Sequence, residues 1–297
     1  MQLNRNLEAI ARQLYDYWFV QFDFLDENGQ PYKSSGGKMV WNEKLKREIP
    51  EGWADGKLID IANITMGQSP DGSTYNEMGE GVLFYQGSTD FGMRFPSVRQ
   101  FTTAPTRFAT HGDILMSVRA PVGTTNIANA DCCIGRGLAA LNSKIGSITH
   151  LYHIIQDLKN AFDMRNDTGT TFGSITKDDL YNLAIIRPNS SVVAHYEKIC
   201  SPIFAKQMLI GKDIDMLTKQ RDALLPLLMN GQVSVLPSEV NCDLHLRHVE
   251  YNRNRLGFQR SEARLIAIGI ESIGRHYQMV EKAQVHRLTA GFHFACY

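Results

Sequence analysis

A heptad seam in the last third of this chain constrains its fold more than any other feature. Ile203, Ile210, Leu217 and Leu224 recur every seven residues, and Gln207, Ile214, Arg221 and Leu228 lie four after each of them. That spacing predicts one helix from about Val192 to Met229. Residues 203–228 alone would span roughly 40 Å at about 1.5 Å per residue. Such a helix is too long to be only the lid of a small domain. Gln207 and Arg221 put polar groups into the seam, where they can set register and the choice of partner. Pro226 predicts a break or kink in the last turn, and Gly231 is placed to end the helix.

A second seam opens the chain at Leu3, Leu7, Ile10, Leu14 and Tyr17. It reads either as a short amphipathic helix packed on its own domain or as half of a coiled coil. Turn chemistry at Asp26, Asn28, Gly29 and Pro31 ends it. Five segments follow from composition and pattern: the helix at 1–22, an extended connector at 23–53, a β-rich domain at 54–190, the long helix at 191–233 and a tail at 234–297. Within the β-rich part, short apolar runs at Val82–Tyr85, Ile114–Val118 and Ile127–Ala130 are punctuated by Gly, Asp and Pro. Residues 147–164 read as helix, and Leu183–Arg187 reads as a strand. The fold class is α+β: a mixed β-rich domain flanked by two coiled-coil-type helices, which can pair with each other or with a partner. The tail is rich in histidine and arginine, and only Arg264–Ile273 in it has a helical pattern.

Charge alone argues mildly against a nucleic-acid partner. Lys+Arg and Asp+Glu are both 31, and acidic residues slightly outnumber basic ones within 54–190; a clustered basic face is invisible to such counting. The five cysteines (Cys132, Cys133, Cys200, Cys242, Cys296) are odd in number and lack Cys-x-x-Cys spacing. This fits a reducing interior rather than a disulfide framework or a structural zinc site. With no apolar signal core and no run of about 18 apolar residues, a cytoplasmic protein with no membrane partner is expected.

Catalytic signatures are missing. Ser35-Gly36-Gly37-Lys38 lacks the leading glycine and trailing Ser/Thr of a phosphate loop. Gly135-Arg136-Gly137-Leu138-Ala139-Ala140 has the GxGxxA form, but no regular βαβ unit surrounds it, so close backbone packing explains its glycines better. His150 and His153 lack a third ligand and read as surface or core histidines, so no metal site is expected. Asp178-Asp179 reads as a helix N-terminal cap rather than an acid/base pair. No catalytic residue is assigned.

Several segments resemble, in order, the specificity subunits of type I restriction–modification systems. They are Leu7–Phe24, Tyr32–Met39, Ile49-Pro50-Glu51-Gly52-Trp53, Gly67-Gln68-Ser69-Pro70, Phe84-Tyr85-Gln86-Gly87, Asp90-Phe91-Gly92, Gly112–Gly123, Cys133–Leu141 and Gln220–Val233. The resemblance covers roughly residues 1–235. It implies a non-catalytic subunit whose target-recognition domain reads one half of a split double-stranded DNA site. In that family two domains are each followed by a long helix, and the helices form an antiparallel coiled coil between the half-sites. It further implies binding to a methylation subunit and a restriction subunit, with S-adenosylmethionine, ATP and Mg belonging to those partners and no cofactor in this chain. The start of the chain resembles the family's central helix, which implies a half-subunit with one recognition domain. Such a half can pair with itself or with another half. The alternative is a regulatory half-subunit that binds the methylation subunit without specifying DNA. The tail has no counterpart in the resemblance.

Candidate DNA-binding residues follow from side-chain chemistry. Arg94, Arg99 and Arg107 can reach phosphates or guanine; Gln68, Ser69, Asn76, Gln86 and Thr89 suit base edges; Thr170 and Thr171 lie in a loop able to press backbone N–H groups onto phosphate. Arg119 and Arg136 sit in segments that the resemblance implies are shared whatever the DNA target. For these two, structural anchoring or a target-independent phosphate contact is expected. The partner seam is Leu7, Ile10, Leu14, Tyr17, Ile203, Ile210, Ile214, Leu217 and Leu224.

Overall fold

The computed structural model describes residues 2–26, 28–167, 174–230 and 232, and of 160–167 only the backbone. The chain divides into one compact unit, Met1–Arg221, and a second, Asp222–Tyr297. Thr170, Thr171, Gly231 and the tail lie outside the described residues.

α1 (Gln2–Tyr15) passes directly into one π-helical turn, Asp16–Val20. β1 (Met39–Asn42) and β2 (Arg47–Pro50) then form an antiparallel hairpin. The side-chain oxygen of Asn42 closes its turn by accepting the Lys44 and Leu45 N–H groups. The expected connector at 23–53 is thus not extended throughout. Its strands are four residues each, too short to show an alternating pattern, and the buried residues of β2, Ile49 and Pro50, are adjacent rather than alternating.

The central domain begins with β3 (Ala54–Lys57), the single turn α2 (Leu58–Ile61) and β4 (Ala62–Met66). It continues through β5 (Tyr75–Asn76), β6 (Val82–Tyr85), β7 (Gln100–Thr102), β8 (Phe108–Ala109), β9 (Ile114–Ser117), β10 (Thr125–Ile127), β11 (Cys132–Ile134) and β12 (Leu138–Ser143). One sheet has the order β10-β9-β12-β4, the other β5-β7-β6-β11-β8, with β6 and β11 parallel. The strand expected at Ile127–Ala130 lies earlier, because Asn129 and Ala130 bend the chain towards β11. Leu115, Leu138 and Ala140 of the first sheet share a core cluster with Leu83, Tyr85, Cys132 and Ile134 of the second. The mixed α+β class is as read from the pattern.

α3 (Ile148–Asp167), α4 (Lys177–Tyr181), β13 (Ala184–Arg187) and α5 (Ser190–Met229) complete the described chain. β13 returns to pair with β3. Thr176 and Asp179 cap α4 reciprocally, each side chain taking the other's backbone N–H; the Asp178-Asp179 pair is a capping feature.

Aromatic packing ties α1 to the domain. Phe19 lies 4.4 Å from the His150 ring and 4.9 Å from Tyr196, and Tyr15 stacks on His153 at 5.1 Å. The face that α1 buries runs through Asn4, Ala11, Leu14 and Tyr15. Of its heptad seam, Leu14 and Tyr17 are buried, Leu7 and Ile10 half-buried, and Leu3 exposed. In α5 the buried line is Val193, Tyr196, Cys200, Ile203, Gln207 and Gly211. Ile210 and Ile214 are half-buried, while Leu217 (58% exposed) and Leu224 face solvent. α5 also runs through Pro226 to Met229, so the expected break does not occur there. A proline this near the end forfeits one amide bond, and the Asn230 N–H still reaches the Pro226 carbonyl at 3.0 Å.

At Gly211 the loop of Arg94 and Phe95 presses on α5. A Cβ there would lie 2.8 Å from Phe95 Cε2 and 3.1 Å from Arg94 Cβ. Gly→Ala inside a helix ordinarily gains up to about 1 kcal/mol, whereas overpacking a full site costs about 1–3 kcal/mol. With Phe95 buried, packing dominates: Gly211→Ala is expected to lose about 1 kcal/mol, read from the urea midpoint. A gain in stability would show that the loop yields freely.

His150 and His153 are core histidines. Burial lowers His150 to about 4. Burial, with the positive charge of Arg12, lowers His153 to about 3. Neither Nδ1 has a hydrogen-bond partner among the described residues. The unfolded chain takes up these protons near pH 6.5 and the native state does not. Stability from this source is therefore full above pH 6.5 and falls as the pH drops towards 4 and 3. Between pH 7 and 5 the loss is expected to be on the order of 3 kcal/mol. His150→Phe/His153→Phe should remove most of that slope in urea titrations; an unchanged slope would place its origin elsewhere.

Candidate nucleic-acid interface

Sheet register brings the C-terminal ends of four strands together. At the start of β12, Leu138 lies opposite Ser117 at the end of β9, and Ala139 lies opposite Met66 at the end of β4. β11 ends at Ile134 beside Tyr85, the end of β6. Between β11 and β12 sits the tight turn Gly135-Arg136-Gly137. Around it the Gln68 N–H donates to the Ile134 carbonyl (3.0 Å), Gly135 N–H to Tyr85 (2.8 Å) and Val118 N–H to Gly137 (3.0 Å). A Cβ on Gly137 would stand 2.7 Å from the Gln86 carbonyl oxygen, and one on Gly67 2.1 Å from that of Gly135. These glycines serve close backbone approach, as the sequence indicated.

Most sequence-derived candidates meet at this end. Gln68 and Gln86 are exposed on either side of the turn. Ser69 Oγ accepts the Arg136 N–H at 3.2 Å. Thr89 is exposed in the 3-10 turn Ser88–Asp90, and Arg99 is tied to Asp90 at 3.0 Å. The Arg107 carbonyl accepts the Ile134 N–H at 2.9 Å, which puts β8 beside the turn. Arg119 forms a β-bridge with Ser174.

Two candidates belong elsewhere. Arg94 was expected to contact DNA, but its side chain is only 3% exposed. Its guanidinium ion-pairs with Glu8 of α1 at 2.5 Å and donates to Tyr152 Oη of α3 at 3.3 Å. It fastens helices together, a role that burial decides and charge cannot reveal. Asn76 was expected at a base edge, yet its amide is committed to its own turn, donating to the Glu80 carbonyl and accepting from the Met78 and Glu80 N–H groups.

Arg107, Arg119 and Arg136 are exposed, and none has an ion-pair partner among the described residues. Whole-chain charge counting does not show such a placement of three arginines near one turn. Phe108 escaped the sequence reading: it is large, apolar and 52% exposed next to Arg107. No local pattern marks a two-residue edge strand. Burial pushes the Cys132 thiol up to about 12, which leaves it a poor nucleophile. Among the described residues no cluster of three or more His, Cys, Asp or Glu could hold a metal ion, and no helix is long and apolar enough to cross a membrane.

Residues 50–199, half of the chain, match the family described as type I restriction modification DNA specificity domain. The chain belongs to that family. Among family relatives in Methanocaldococcus jannaschii, the protein assigned as the type I restriction enzyme MjaX specificity subunit is 34% identical over 195 residues, covering 63% of this chain and 45% of the relative. The type I restriction enzyme MjaIX specificity subunit is 27% identical over 250 residues, covering 78% and 54%. The chain spans about half the length of these curated relatives. The crystal structure of the HsdS subunit from Thermoanaerobacter tengcongensis aligns with a TM-score of 0.45 at 29% identity, over 78% of this chain and 53% of that one. The match of the DNA specificity domain includes the whole convergence of strand ends around Arg136.

Proposed function

We propose that this chain is a non-catalytic, sequence-specific DNA-binding specificity subunit of a type I restriction–modification complex. In that role residues 54–190 recognise one half of a bipartite target, so that partner subunits methylate adenine or cleave. The observation that carries the reading is the placement of Arg107, Arg119 and Arg136, exposed and without an ion-pair partner among the described residues, around the Gly135–Gly137 turn, inside a domain of the matching family. Phosphate contacts fix register, and neighbouring polar groups read base edges. Residues 1–22 and 191–233 serve as the helical seam to a methylation subunit and to a second specificity half, either another copy of this chain or a different one. The exposed Leu217 and Leu224 support that use of α5. S-adenosylmethionine, ATP and Mg act in the methylation and restriction subunits, in the cytoplasm.

The test is the adenine methylome of cells holding the cognate methylation subunit, with and without this chain. A new split motif is expected: palindromic if two copies pair, asymmetric if a different half joins. Binding of the methylation subunit with no new motif would overturn the recognition role and favour a regulatory half-subunit.

A further inference from the structure

β8 is the edge strand of its sheet, and its two residues have opposite fates. Ala109 is buried in the core, whereas Phe108, whose side chain points to the other face, is 52% exposed. Isolated exposed apolar side chains are ordinary on protein surfaces. The setting of Phe108 is not. It lies opposite Cys133, one residue before the end of β11 and so beside the Gly135–Gly137 turn. The segment holding it is fixed on both sides, by the Arg107 carbonyl accepting the Ile134 N–H at 2.9 Å and by Thr106 Oγ1 donating to the Gln68 carbonyl. A phenyl ring is thus presented from a held backbone, next to the uncompensated Arg107 and on the end of the domain that carries Arg136. Little ordering would be needed on binding.

We infer that Phe108 is a specificity-determining residue that contacts the C5-methyl group of a thymine in the major groove, with Arg107 holding an adjacent phosphate or guanine. The inference rests on the DNA-recognition reading above. Of the groups exposed on the major-groove edges, the thymine methyl is the apolar one, and an apolar side chain is its natural partner.

The experiment uses the full chain with its cognate methylation subunit. A target is first selected from random duplexes, and each thymine in it is then replaced singly by uracil, which removes only the methyl group. At one position the wild-type complex is expected to lose about fivefold in affinity. Phe108→Ala should bind the thymine duplex about fivefold more weakly than wild type and be indifferent to uracil at that same position. A second variant, Phe108→Leu, keeps an apolar contact and should retain part of the discrimination. Selection that yields no target would defeat the recognition reading itself. A selected target whose uracil profile is the same for wild type and Phe108→Ala would overturn the role of Phe108 and leave the recognition reading standing.

Discussion

Replacing Arg107, Arg119 and Arg136 together by alanine is expected to weaken DNA binding by about a thousandfold while leaving the fold intact. A hydrogen bond to a charged group contributes about 1.5–3 kcal/mol, and about 1.4 kcal/mol is tenfold in affinity, so each contact is worth at least about tenfold. None of the three guanidiniums has an ion-pair partner among the described residues, so removing them breaks no ion pair. Each phosphate contact adds about 0.9 to the slope of log affinity against log salt, and the triple variant should flatten that slope by two to three. Fluorescence anisotropy over a salt series, with urea titration as the control for folding, measures both. A stable triple variant with the slope of the wild type would place the interface elsewhere on the domain.

The second large effect concerns the Arg94–Glu8 pair, and it is asymmetric. Arg94 is 3% exposed, whereas Glu8 is 45% exposed at its side chain. Glu8→Ala strands a buried cation and is expected to cost about 3 kcal/mol, far more than a half-exposed glutamate usually matters. Arg94→Met removes the buried charge, keeps the aliphatic stem against Gly211 and lets Glu8 return to water; its expected cost is below about 1.5 kcal/mol. The double variant should be more stable than Glu8→Ala alone. Urea denaturation of the four proteins completes the cycle. Equal costs for the two single variants would mean that the guanidinium reaches water when its partner is gone. Neither change touches the Arg136 turn, so DNA affinity should follow folding alone.

Much of the architecture was legible because it is written in local periodicity. Heptad spacing predicted the long helix from about Val192 to Met229, where it runs from Ser190 to Met229, and apolar runs between Gly, Asp and Pro located β6, β9 and β13. Asp178-Asp179 read as a helix cap, and the structure pairs Asp179 with Thr176 in that cap. The hairpin Met39–Pro50 was missed because a pairing depends on two short segments finding each other, and neither had a pattern of its own. The glycines of Gly135–Gly137 were recognised as packing devices, but nothing in the sequence said what they pack against.

The candidate site divides in the same way. Residue chemistry and order were sufficient for the family and for a list of arginines and amides able to touch DNA. Which of them can do so depended on burial and partners, which are properties of contacts between residues far apart in the chain. Arg94 and Arg107 are the same residue type thirteen positions apart. The first is spent on Glu8, 86 residues away, and the second, beside Ile134, has an exposed side chain with no ion-pair partner among the described residues. Periodicity is a one-dimensional quantity that helix and strand geometry convert directly into structure. The placement of Arg107, Arg119 and Arg136 near one turn is three-dimensional, and strand register with the hydrogen bonds around that turn brings it about.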